Sequence, residues 1–260
     1  MILDELAEHA RQRVARARRA LPLEAVAEQA RSLPKGEKAF EAALRAPGLS
    51  FICEVKKASP SKGVIAEDFP YLDIARAYEA AGADCLSVLT EPKWFLGSDA
   101  VLAGIRAESA RPMIRKDFTV DAYQLYEAKL LGADAVLLIC ALLDAPTLAG
   151  YLGICDDLGL SALVEAHDEA EVAQAAAAGA RLVGVNNRNL KDFTVDTTTA
   201  ERLHDAVPPE ALFVAESGIA SLDDVRAAAR FGADAVLVGE FLMRATDKGA
   251  LLAQMREAAR

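Results

Sequence analysis

The sequence predicts an α/β protein: a single (β/α)8 barrel over residues 49–260, preceded by an N-terminal helical extension over residues 1–48 that packs on it. Three observations carry this expectation. A short pattern repeats four times: AGADCLSVL starts at Ala81, LGADAVLLI at Leu131, AGARLVGVN at Ala178 and FGADAVLVG at Phe231. Each reads as a helix end, a glycine just past it, a small residue, then an apolar run rich in Val and Leu. Gly82, Gly132, Gly179 and Gly232 are spaced by 50, 47 and 53 residues, too long for one strand–helix unit and right for two. The apolar runs show no in/out alternation, which marks strands buried on both faces and hence a parallel sheet. Eight such units in about 200 residues suit a closed barrel. An open doubly wound sheet is disfavoured because no GxGxxG follows the first strand.

The elements follow in order. The extension holds two helical patterns, and Pro47-Gly48 breaks the chain before the barrel. Strands are expected near 50–56, 85–90, 112–117, 135–140, 161–165, 182–187, 212–216 and 235–239. Amphipathic helical stretches lie between them, such as YLDIARAYEAAGA (71–83) and SLDDVRAAARFGA (221–233). No Gly/Ser/Pro-rich linker or low-complexity segment marks off a second domain.

Composition excludes several classes of function. Of 260 residues, 53% are hydrophobic, enough for a full core. The net charge of −10 and the lack of a long Lys/Arg run argue against a nucleic-acid partner. The basic cluster RQRVARARR (11–19) reads as a solvated helix face. No apolar stretch reaches the roughly 18 residues of a membrane span, and MILDELAEHA is not a signal peptide. Cys53, Cys85, Cys140 and Cys155 form no CxxC, and three fall in expected strands, so they read as reduced core thiols in a cytoplasmic protein. His9, His167 and His204 are isolated, so no metal site is expected; His167 could reach the rim but reads as structural. Neither a nucleophile elbow nor a phosphate-binding P-loop motif occurs.

In such a barrel the working face lies at the C-terminal ends of the strands, and the polar residues gather there. The first strand ends in Glu54 and Lys56, two apart and so on one face. The second ends at Thr90 and Glu91, the third at Lys116, the fifth at Glu165, the sixth at Asn186 and Arg188. The seventh ends at Glu216, Ser217 and Gly218, and the eighth at Gly239. One charged residue at a strand end reads as a rim salt bridge. Several strands together do not, because scattered surface pairs contribute little stability and need no common address. Opposite charges on one mouth offset part of each other's desolvation cost and shift one another's pKa values. Lys56, Lys62, Lys116 and Arg188 in an acidic protein point to an anionic substrate, and SPSKG (59–63) could present hydroxyls and N–H groups to it. The fourth strand stays apolar. With Leu137 inward and Phe95 and Phe118 nearby, that sector suits an aromatic ring.

Taken together the motifs resemble indole-3-glycerol-phosphate synthases of tryptophan biosynthesis. The resemblance runs through EVKKASPSKG (54–63), LTEPKWFLGS (89–98), IRKDF (114–118), LVEAH (163–167), GVNNRNL (184–190), AESGI (215–219) and VGEFLM (238–243). It implies conversion of 1-(2-carboxyphenylamino)-1-deoxyribulose 5-phosphate to indole-3-glycerol phosphate, with loss of carbon dioxide and water and without a cofactor. By that resemblance Lys116 is the general acid, Glu165 the acid/base of dehydration, and Lys56 the partner of the substrate carboxylate. Glu54 and Glu216 orient the lysines and bind substrate hydroxyls, and Asn186 contacts substrate. Ser59, Arg188, Ser217, Gly218 and Gly239 hold the phosphate end; Phe95, Phe118, Leu137 and Leu190 line the anthranilate pocket. One departure stands at Glu240, where some relatives carry a small hydroxyl residue; its carboxylate is expected to repel phosphate. A fused isomerase domain is not expected.

The partner is therefore expected to be a phosphorylated small molecule with an anthranilate ring, with no nucleic acid and no membrane, in a monomer or homodimer. Two other readings remain. One is a phosphoribosylanthranilate isomerase-like barrel, which would use an Asp/Cys acid–base pair; the other is a barrel that only binds a phosphorylated ligand. Lys116→Ala separates them through loss of indole formation, and a buried lysine reads as a liability to folding, so little stability should be lost.

Overall fold

The computed structural model describes residues 2–189 and 193–260. Three helices precede the sheet: α1 (Ile2–Ala20), α2 (Leu23–Ser32) and α3 (Ala39–Leu44). Strand β1 (Ser50–Val55) follows, then a two-stranded antiparallel hairpin pairing Ala58–Ser59 with Gly63–Val64, and α4 (Tyr71–Ala80). The alternation continues as β2 (Cys85–Leu89), α5 (Asp99–Glu108), β3 (Met113–Lys116), α6 (Tyr123–Leu130), β4 (Ala135–Ile139), α7 (Ala145–Leu158), β5 (Ser161–Ala166) and α8 (Glu169–Ala177). It ends with β6 (Leu182–Asn186), α9 (Thr198–Leu203), β7 (Leu212–Glu216), α10 (Leu222–Phe231), β8 (Ala235–Val238), α11 (Glu240–Arg244) and α12 (Lys248–Ala258). The eight long strands pair in sequence order, all parallel, and β8 closes on β1. This is the (β/α)8 barrel the sequence predicts, and every strand boundary falls within one residue of the expected one.

The repeated Gly-Ala-Asp pattern has a mechanical reason. Gly82, Gly132, Gly179 and Gly232 follow their helices with φ between 83 and 93°, a left-handed turn that glycine adopts without strain. The aspartate after three of them ties the next strand to the previous one. Asp84 accepts from Phe51 N at 2.7 Å, Asp134 from Met113 N at 2.9 Å and Asp234 from Phe213 N at 2.7 Å. Each also donates its own N–H to the carbonyl of the same strand residue. The third repeat has Arg181 in that place, and it pairs instead with Glu41 and Asp156.

Period-2 geometry then sorts the barrel side chains. Phe51, Cys53, Leu86, Val88, Val136, Leu138, Val183 and Val185 belong to the apolar layer under the helices. Ile52, Cys85, Ile114, Ala135, Leu137, Ile139, Leu163, Leu182, Val214 and Leu237 belong to the barrel's inner cluster. The bottom is closed by α3, a third helix where the sequence suggested two. Phe40 is fully buried in the inner cluster. Its carbonyl lies 3.9 Å from Cys85 Sγ, and Glu41 N donates to Ser161 Oγ at 3.2 Å, so α3 seats on the first residues of β2 and β5. All four cysteines are free and buried; Cys155 lies in α7, and Cys140, expected at the end of a strand, lies in a 3-10 turn (Cys140–Leu142) just past it. No helix among the described residues is long and apolar enough to cross a membrane.

Truncating the plug should open a cavity beneath the barrel. Phe40→Ala is expected to cost about 3–5 kcal/mol, read as a lower urea midpoint, while the mouth at the other end keeps its arrangement.

Candidate active site

The inward parity that places apolar side chains in the barrel interior carries through to the strand ends. Glu54 and Lys56 extend β1, Lys116 ends β3, Glu165 lies near the end of β5, Asn186 ends β6, Glu216 ends β7 and Gly239 follows β8. Each is an even step from an inner-cluster residue of its strand, so all point to one mouth. They line a cavity of about 720 Å³. Lys56 Nζ lies 2.6 Å from Glu54 Oε1, and Ser87 Oγ donates to Glu54 Oε2 at 3.4 Å. Across the mouth, Lys116 Nζ lies 3.5 Å from Glu165 Oε2 and 3.4 Å from Glu216 Oε2.

These charges are buried, and their protonation follows from how they share partners. Burial opposes the Lys116 ammonium, yet Glu216, Glu165 and Glu54 outweigh it and raise the lysine above its ordinary range. Burial pushes the Glu165 carboxyl up, but Lys116 and His167 more than offset this and hold it below the usual carboxylate range. Glu216 goes the other way: burial, then the Glu165 and Glu54 carboxylates, raise it despite the ammonium at 3.4 Å. One lysine serves two carboxylates, and the one with the second cation keeps its charge. Glu216 Oε1 is buried without a hydrogen-bond partner among the described residues. Its place exists because the neighbouring strand β6 carries Gly184 below it: a Cβ there would sit 2.1 Å from that oxygen. Gly239 makes the same allowance for the first pair, since a Cβ would lie 2.4 Å from Glu54 Oε1 and 2.6 Å from Lys56 Nζ.

The rest of the mouth is divided. Leu89, Phe95, Phe118, Leu137 and Ile139, from β2 to β4 and their loops, form an apolar wall, with the Phe95 and Phe118 rings 6.1 Å apart. On the other side of the ring, Ser59, Ser61, Lys62, Arg188, Ser217, Gly218 and Arg244 line the cavity. The Arg188 guanidinium donates to Ser61 Oγ at 3.4 Å and to Phe193 O at 3.2 Å, joining the loops after β1 and β6. Arg188 N donates to Asn186 Oδ1 at 3.0 Å, which turns the Asn186 amide group inward. Glu240 does not confront the cavity as a bare anion. Arg244 Nε lies 2.8 Å from Oε1 and Lys62 Nζ 4.0 Å from Oε2, so the expected repulsion is largely neutralised. Leu190 lies outside the described residues.

Several members of this site were not foreseen. Ile2, Leu3 and Leu6 of α1 line the cavity, as does Asp117. The basic stretch 11–19 is not simply solvated: Arg13 Nη2 donates to both Asp117 oxygens, at 2.7 and 2.8 Å, and Arg18 pairs with Asp121 at 2.7 Å. Thr90 Oγ1 donates to the same Asp117 at 3.0 Å. His9 is not isolated either, lying 3.1 Å from Glu91, whose carboxylate accepts from the N–H groups of Lys93, Trp94 and Phe95. Arginine and histidine on a helix give no sequence signal of partners about a hundred residues away.

The fold and its mouth define a class: a barrel enzyme with an acid/base cluster and a cationic rim at the C-terminal ends of its strands. Residues 3–255 match the family described as Indole-3-glycerol phosphate synthase, and the chain belongs to that family. It is 55% identical over 260 residues to the indole-3-glycerol phosphate synthase of Ruminiclostridium cellulolyticum, covering 100% of both chains. It is 48% identical over 260 residues to that of Lactiplantibacillus plantarum, again covering 100% of both. Among solved structures it resembles 3-hexulose-6-phosphate synthase from Salmonella typhimurium (TM-score 0.64, 16% identity, 81% of this chain and 98% of that one). It also resembles thiamine phosphate pyrophosphorylase from Pyrococcus furiosus (TM-score 0.61, 16% identity, 81% and 95%). These two likenesses concern the fold alone.

Gly184→Ala tests the space beneath Glu216. The added methyl collides with a buried carboxylate rather than a free-ended side chain. Destabilisation of about 1–3 kcal/mol is expected in denaturant titration, together with a fall in turnover as Glu216 is pushed off Lys116.

Proposed function

We propose that the chain closes the indole ring of 1-(2-carboxyphenylamino)-1-deoxyribulose 5-phosphate, releasing carbon dioxide and water to give indole-3-glycerol phosphate in tryptophan biosynthesis. The observation that carries this reading is the division of the mouth, with an apolar wall, a cationic rim and a buried ammonium between them. A molecule with an aromatic ring at one end and a phosphate at the other fits that order.

The chemistry makes specific demands. Attack of a ring carbon on a ketone builds negative charge on the ketone oxygen, so an acid must stand beside it. Lys116, kept protonated by its carboxylates, supplies that proton. Loss of carbon dioxide then returns the C–CO2 bonding pair to the iminium nitrogen formed by that attack and takes no proton. The hydroxyl formed at the former ketone must leave as water, so it takes a proton from the second ammonium, Lys56, while Glu165, held as a carboxylate, accepts the proton lost from the neighbouring carbon. Glu54 and Glu216 orient the two lysines and meet substrate hydroxyls, and Asn186 adds an amide. Ser59, Arg188 and the backbone at Ser217, Gly218 and Gly239 receive the phosphate, with Lys62 and Arg244 adding charge. Phe95, Phe118 and Leu137 hold the anthranilate ring against the ketone, and positioning of this kind lowers the barrier to ring closure.

In the same proposal residues 1–48 form an extension packed on a barrel of 49–260, and α1 completes the apolar end of the cavity. Substrate and product are phosphorylated metabolites, which places the protein in the cytoplasm. An isomerase-like Asp/Cys couple is not favoured. No cysteine is among the described cavity-lining residues, and Asp117 is already held by Arg13 and Thr90.

Mixing the purified protein with the carboxyphenylamino sugar phosphate and following indole absorbance tests the reading. Wild type should turn over, and Lys116→Ala should lose about 10²–10⁴-fold in kcat; a fully active variant would remove Lys116 from its role. The structure revises the expectation that this variant keeps its stability. Without the lysine, Glu165 and Glu216 are buried with less compensation, so the depressed folded-state pKa of Glu165 rises and that of Glu216, already above its unfolded value, rises further. Carboxyls shifted upward are destabilising once pH climbs through those values. The melting temperature of Lys116→Ala should therefore fall below wild type by a gap that widens from pH 5 to pH 8.

A further inference from the structure

Glu165 touches two cations, and only one belongs to the cluster just described. The other is His167, two residues on, where the chain leaves β5. Its Nε2 is buried and lies 3.3 Å from Glu165 Oε1, at ion-pair distance but off the line of a good hydrogen bond. Lys116 contacts the opposite oxygen, Oε2. The far side of the imidazole is held as firmly. Nδ1 lies 3.0 Å from Glu171 Oε2, and that oxygen also accepts from the His167 backbone N–H at 2.8 Å. Glu171 sits in the first turn of α8, whose N-cap Asp168 accepts from Glu171 N at 2.9 Å. From sequence alone His167 reads as structural, and the reaction described above does not use it.

We propose that His167 is a positioning residue for Glu165: clamped by Glu171, its imidazolium fixes the Glu165 carboxylate and keeps it ready to accept a proton. The inference rests on the reading of Glu165 as the acid/base of dehydration. The array runs from the Glu171 carboxylate through the imidazolium to the Glu165 carboxylate, and its last member lines the cavity. Glu171 and Glu165 both face the ring, and that pair outweighs burial to raise the histidine up to about 10. The other groups around it do not compete. Asp168 caps its helix, Cys140 is a neutral thiol that burial pushes up to about 12 and that meets Glu171 only through its backbone carbonyl, and Lys116 lies beyond Glu165. A histidine that merely filled space would need neither carboxylate. One aimed by α8 at the single oxygen that Lys116 leaves free has a geometric purpose. Catalytic hydrogen bonds are often loose before substrate arrives, which accounts for the poor alignment at 3.3 Å.

Two variants separate charge from shape. His167→Gln keeps an N–H donor of similar reach and removes the positive charge. The acid-side limb of its kcat–pH profile should move to higher pH by about 1–3 units, with KM little changed. Glu171→Gln leaves the ring in place but weakens the hold on its proton, so the alkaline limb of kcat should move to lower pH. A purely structural histidine would lower the melting temperature without moving either limb. Glu165→Gln, assayed alongside, isolates the underlying reading. If it is inactive while both other variants keep wild-type limbs, the positioning role is overturned and the role of Glu165 stands. If Glu165→Gln turns over normally, that role falls and this inference falls with it.

Discussion

Burying charge is the constraint on which this molecule is organised. Lys116, Glu165 and Glu216 stand almost wholly out of water at the end of an apolar barrel, where a lone ammonium or carboxylate would be too costly to keep. Mutual pairing makes them tolerable, and pairing demands that residues 49 and 100 positions apart meet within 3.5 Å. Only closure of the sheet achieves that. The aspartates at the start of strands β2, β4 and β8, the helix α3 beneath the barrel and the glycines at 184 and 239 all serve it, by locking register, filling the base and clearing room at the top.

The same balance is what a substrate would disturb. With Glu54 matched to Lys56 and Glu165 to Lys116, Glu216 is the member pushed toward its neutral form. The inner charges of the mouth nearly cancel, while Arg188, Lys62 and Arg244 stand at its rim; a phosphorylated carboxylate, as proposed, would meet those cations first. α1 belongs to this arrangement. Through Arg13 it grips Asp117, the residue after Lys116, and through Ile2, Leu3 and Leu6 it walls the apolar end. An element outside the barrel repeat is thus tied to the residue beside Lys116.

Much of this was legible in the sequence, for reasons that can be stated. The strands were found because parallel strands are apolar throughout, so a charge at a strand end stands out. Lys116 and Glu165 are visible for that reason, and the two-residue step from Glu54 to Lys56 fixes a shared face without any three-dimensional information. What was missed depends on distance rather than composition. Arg13 reads as one basic residue among several, and nothing local reveals that it spans 104 positions to Asp117. Phe40 looks like any aromatic on a short helical pattern. Gly184 lies inside an apolar run, where nothing marks the missing Cβ as room for a carboxylate on the next strand. His167 stands out in the sequence, but its partner Glu171 lies four residues on in the following helix, a spacing that becomes a contact only once α8 forms.

The state of the Lys116 side chain tests the whole account most directly. A pH titration of the 15N-labelled lysine ammonium signals, with Lys116 assigned from its absence in a Lys116→Arg protein, reports its protonation in the free enzyme. If three carboxylates govern the mouth, that signal stays in the ammonium form beyond the ordinary lysine pKa of about 10.4. Deprotonation near neutral pH would mean that desolvation, not pairing, rules the site, and the charge balance described here would be wrong.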